Sequence, residues 1–312
     1  MSKEIEDKLE KIPVVNILVK FGKKIKVPGL EGMSLYDVLE MYVIGIVEGA
    51  LTTRAGGIAF SFIMAVFPFM LFLLTLIPYI KIDGFREGLF SFIQDVLPPQ
   101  TFEAVNVVIG DIINNQYGGL LSFGFLLSIL LMTNGINAIF SGFEYSYHVT
   151  EIRNVFRTYF ISLGVSLLTS LFLIITIILV ILYQVALSKI DENGWLHTDD
   201  LNLFYYGRGF LFLVMIFTIV SLLFRYGTKQ GKATKFFSGG AILTTILSLC
   251  TFYLFGIYVV KFAQYNQLYG SIGTLLILML FVWLNAIILL LGFELNASLH
   301  VLRLRNKNCT TS

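Results

Sequence analysis

Six long apolar stretches separated by polar connections occupy most of this chain, near residues 55–80, 118–143, 158–187, 208–224, 236–261 and 270–300. Each is about the length an α-helix needs, roughly 20 residues, to cross a ~30 Å hydrocarbon layer. Hydrophobic residues make up 56% of the 312 and charged residues 13%, the latter about half the ~25% of an ordinary soluble domain. In lipid every backbone N–H and C=O has to be paired within its own segment, so six such runs predict an all-α polytopic membrane bundle. The expected division is a tail over 1–33, an interfacial amphipathic helix over 34–53, a six-span domain over 54–302 with an external helical segment at 81–117, and a tail over 303–312.

The opening MSKEIEDKLEKIP is charged and lacks an apolar core of 7–15 residues, so the first span is expected to act as an uncleaved insertion signal. Two cysteines, Cys250 in the fifth span and Cys309 in the tail, imply no disulfide framework. The distribution of basic residues predicts orientation. Of 22 Lys and Arg, 17 fall in 1–54, in the second and fourth connections, and after the last span. Cytoplasmic loops retain basic residues, so both termini are expected inside.

Ser34 begins S-L-Y-D, a variant of the capping box, and opens a helix with Asp37, Glu40 and Glu48 on one face and Leu35, Val38, Leu39, Tyr42, Val43 and Ile46 on the other. That pattern predicts a helix lying on the cytoplasmic surface. The first span starts with small residues (Ala55, Gly57, Ala59, Ser61) that allow close helix approach, and Pro68 and Pro78 are expected to kink it. Outside, Pro98-Pro99 divides 84–114 into two amphipathic helices expected to cap the bundle.

No Walker A sequence, H-E-x-x-H, nucleophile elbow or metal-spaced cysteine pair occurs, and the three histidines lie far apart. An enzyme, a metal or other cofactor, and a nucleic-acid partner are therefore not expected. What remains is a set of polar residues at membrane depth. Glu294 is an ionisable group inside a span, which is costly unless paired or hydrated. Arg54 and Glu144 lie at the same cytoplasmic level, so Arg54–Glu294 and Arg54–Glu144 pairs are both open. Asn134, Asn137 and Ser141 form a stripe along span two. Holding helices together and lining a substrate path are both open uses of these side chains.

Arg54-Ala55 with the small residues and Pro68 that follow, TNGINAIF in span two, and YGSIGT…W…LLGFELNA in span six resemble the YihY/BrkB membrane family, once misnamed as ribonuclease BN. The resemblance covers about residues 35–302. Its most specific part runs from Tyr269-Gly270-Ser271 through Trp283, Gly292, Glu294 and Asn296. It implies a six-helix protein of the bacterial cytoplasmic membrane with a transporter-like or lipid-handling role, and it adds Tyr269 and Asn296 to the candidate residues. The expected function is a transporter or flippase for an amphipathic or lipid-like substrate, with membrane lipids as partners. The alternatives are a small-solute or ion transporter using Glu294 or Glu144, or a non-transporting scaffold.

Overall fold

The computed structural model describes residues 50–80, 118–146, 148–149, 151–192, 201–233, 235–261 and 271–310, together with 34, 36, 40, 42, 46, 84, 85, 88, 90, 91, 94, 110 and 111. Among the described residues six long helices stand out: α1 (Leu51–Leu76), α2 (Gly118–Glu144), α3 (Val155–Glu192), α4 (Leu201–Tyr226), α5 (Gly239–Lys261) and α6 (Ser271–Thr310). All six are long and apolar enough to span a membrane. The protein is an all-α, multi-pass membrane bundle.

Each helix packs on its neighbours in the chain, and α6 returns to pack on α1, so the six form a ring in sequence order. The α1–α6 contact is the one that closes the ring. Inside it, Ile58, Phe140, Phe143, Phe224, Leu290 and Phe293 share one apolar core. Phe143 stacks on Phe293, with ring centroids 4.2 Å apart and planes 7° from parallel, while Phe224 meets both edge-on.

Many hydroxyls within the spans are satisfied locally. Thr75, Ser128, Ser162, Thr169 and Thr176 each donate to a carbonyl three or four residues back in their own helix. Thr133 and Ser166 also meet across α2 and α3 at 3.0 Å. This is how polar side chains stay inexpensive where water is absent.

Helix α5 seats closely on α6. A Cβ at Gly240 would collide with the Gly292 carbonyl and with Asn296, and one at Gly292 would collide with Thr244. Ser238 accepts from the Ala241 N–H as the N-cap of α5. Asn296 accepts from the Gly240 N–H at 2.8 Å and donates to Ser238 Oγ at 3.0 Å. Asn296 therefore completes the cap of a neighbouring helix.

Several boundaries differ from the sequence reading. Helices α3, α4 and α6 run past the apolar windows, α6 as far as Thr310 through residues assigned to the tail. Hydropathy marks only the hydrocarbon core, whereas helical hydrogen bonding continues into the polar interface. Helix α1 passes unbroken through Pro68, and Pro78 lies in a 3-10 turn at Ile77–Tyr79. Pro78 therefore ends the first span rather than kinking it, since its ring cannot donate to the helix ladder. Before α1, Tyr36, Glu40, Tyr42 and Ile46 are helical. Ala50 then adopts φ +44°, which separates that segment from the span.

At the other end of the bundle from Arg54, Phe85 is buried against Ile181 of α3, with Leu74, Ile177, Val185 and Phe90 around them. Gly88 and Gln94 are helical, as are Gly110 and Asp111. The expected hinge at Pro98-Pro99 lies outside the described residues, as do the tail over 1–33 and Tyr269.

Candidate functional site

Among the described residues, two buried charge centres lie on opposite sides of the C-terminal end of α2. Gly142 and Glu144 lie in the last turn of α2, and Ser146 in the turn that follows, its N–H bonded to the Phe143 carbonyl.

On the first face Arg54, in the opening turn of α1, donates from Nη2 to Glu294 Oε1 of α6 at 2.7 Å and from Nη1 to the Gly142 carbonyl at 2.8 Å. Ser146 donates to the other Glu294 oxygen, Oε2, also at 2.7 Å. The Glu294 side chain is 0% exposed and that of Arg54 7%. The N-terminal end of α1, the C-terminal end of α2 and the interior of α6 thus meet through one carboxylate. Isolated burial of either charge would be prohibitive, and short charge-assisted bonds to both oxygens are what make it tolerable. Arg54 Nε is buried with no hydrogen-bond partner among the described residues.

Two residues ahead of α1 lie beside this node. Ile46 packs on the core, and Tyr42 lies close enough to feel the Glu294 charge. Burial pushes the Tyr42 phenol above its ordinary value, and Glu294 pushes it further in the same direction.

On the second face Glu144 faces Arg153, with Nε 3.6 Å from Oε1. Arg153 Nη2 donates to the Tyr226 carbonyl at the end of α4, at 2.7 Å. The guanidinium also lies 6.0 Å from the centre of the Phe140 ring, within the range of a cation–π contact. Burial lowers the Arg153 pKa, and Glu144 opposes that shift. Farther out, Lys229 and Glu151 pair at 3.5 Å while largely exposed. A surface pair of this kind contributes little.

Of the two pairings open to Arg54, the structure forms the one with Glu294, because Glu144 points the other way around α2. The Asn134–Asn137–Ser141 stripe joins neither centre. Asn134 is exposed, Asn137 and Ser141 are half-buried, and the inward face of α2 is that of Thr133, Ile136, Phe140 and Phe143. Asn296 lies one turn beyond Gly292 on α6 and acts in the α5 cap. Ser146, Tyr42 and Arg153 are site residues that the sequence reading did not single out.

The profile of the family described as Virulence factor BrkB matches residues 45–309, which include the Arg54–Glu294 node. The chain belongs to that family. Among BrkB-family relatives, YfkH of Bacillus subtilis, whose name likens it to a ribonuclease, is 31% identical over 261 residues, covering 80% of this chain and 90% of that one. A UPF0761 membrane protein of Vibrio campbellii is 25% identical over 252 residues, covering 79% and 76%. One from Coxiella burnetii is 26% identical over 249 residues, covering 77% and 84%. No solved structure matches this BrkB-family chain.

Proposed function

We propose that this BrkB-family protein is a transporter or flippase that moves an amphipathic, lipid-like substrate, with both termini on the cytoplasmic side. The observation that carries the reading is the Arg54–Glu294 pair, buried at the seam where α6 closes the ring on α1. An ionisable residue at membrane depth is costly and marks a substrate or ion path by default. Here the charge joins the first and last helices, the pair that has to part for a laterally entering molecule. Arg54 Nε, buried at the same place, has no hydrogen-bond partner among the described residues, a donor that parting of the two helices would free for a polar headgroup. The 17 of 22 basic residues assigned to that side favour an inside location for it.

A scaffold reading has one observation in its favour, the saturation of both Glu294 oxygens by Arg54 and Ser146. A nuclease reading has none, since among the described residues no three His, Cys, Asp or Glu side chains gather as metal ligands. The purified protein in liposomes separates these classes. A fluorescent phospholipid should exchange between leaflets at a rate that rises with protein density, while ion flux stays at the protein-free level. A flux of ions without lipid exchange favours the small-solute alternative, and neither process favours the scaffold.

A further inference from the structure

On the outward side of the α1–α6 seam, Gly56, Ala59 and Phe60 of α1 and Met279, Leu280 and Trp283 of α6 line an open groove of about 270 Å³. The α1 residues recur at helical spacing, and the α6 residues face them across the seam. A Cβ placed on Gly56 would meet no atom within 4 Å, so the groove is not filled by a neighbouring side chain. Ala59 forms its floor at 5% exposure, while Phe60 at 61% and Met279 and Leu280 at 39% stand at its rims. No lining side chain is charged. The volume exceeds the roughly 150 Å³ of an apolar cavity that accepts benzene.

Both walls are membrane-spanning helices, so the medium against this groove is hydrocarbon. The occupant that fits an open, uncharged apolar slot there is an acyl chain. Arg54 precedes Gly56 by two residues, so the polar node lies at the same end of α1, with the Arg54 side chain about 200° around the helix on the bundle side of the seam. We infer that the groove is a binding site for one acyl chain of the amphiphile, whose polar end lies toward Arg54. This deepens the transport reading and rests on it for the identity of the amphiphile. The seating of a chain is tested independently of movement.

Trp283 is a built-in reporter. The chain holds two tryptophans, so Trp195→Phe leaves Trp283 alone. The full-length protein is placed in phosphatidylcholine vesicles containing a rising fraction of lipid brominated along its acyl chains, and indole quenching is followed. A seated chain predicts strong quenching in the parent and a severalfold loss after Gly56→Leu, which fills the slot. Leu280→Phe at the rim serves as a second variant. Native mass spectrometry reads the same site without fluorescence, with a lipid retained by the parent and lost from both variants. Equal quenching and equal lipid retention in parent and variants would overturn the site. Leaflet exchange is measured in the same vesicles. If it is absent in the parent while quenching still depends on Gly56, the transport reading fails and the chain-binding site stands.

Discussion

At the scale of single residues the Arg54–Glu294 pair makes the sharpest demand. Glu294→Gln strands a guanidinium, and Arg54→Gln strands a carboxylate. Each should destabilise the protein by about 3–5 kcal/mol, whereas the double change should cost much less. Thermal melts of the four proteins in one detergent form the double-mutant cycle, and additive effects would contradict the pairing. Tyr42 makes a second prediction through pH. Its phenol is raised in the folded state, so the stability it contributes is complete below the ordinary phenol value of about 10 and falls as pH rises through the folded value. The melting temperature of the parent should therefore drop in that alkaline range, and Tyr42→Phe should lessen the drop. The sequence pointed to Glu294 and Arg54 because a charge within an apolar run is conspicuous. Ser146 and Tyr42 are ordinary residues in polar surroundings, and only the folded chain brings them to the carboxylate.

Among the elements, the α5–α6 contact depends on the absence of side chains. Gly240→Ala and Gly292→Ala each force a methyl into occupied space, and overpacking of this kind costs about 1–3 kcal/mol. Gly56→Ala places its methyl in open space and should melt like the parent. Comparable losses in all three would contradict the packing. Most of the architecture could be read from the order of amino acids, since twenty-residue apolar runs admit few other folds. The ends of the helices could not, because backbone hydrogen bonding continues where hydropathy falls away. Nor could the face of span two. Asn134, Asn137 and Ser141 are as helically periodic as any buried set, but Ser128 and Thr133, their hydroxyls bonded to the Phe125 and Ile129 carbonyls, are the hydroxyl residues of the helix that are buried. Local satisfaction by a backbone carbonyl leaves no trace in polarity scales.

For the whole molecule, orientation and movement are the properties that matter. With Cys250 and Cys309 replaced by serine, Gln94→Cys should react with an impermeant thiol reagent added outside intact cells, and Lys229→Cys should react only after the membrane is opened. The reverse pattern would invert the molecule. The ring closes at α1–α6, so the central claim is that the charge joining those helices serves movement as well as folding. The direct measurement is leaflet exchange of a fluorescent phospholipid in liposomes carrying the Arg54→Gln/Glu294→Gln double variant, normalised to folded protein. The account predicts recovered folding with exchange reduced to the protein-free rate. Exchange at the parental rate would show that the pair only pins helices, and would contradict it.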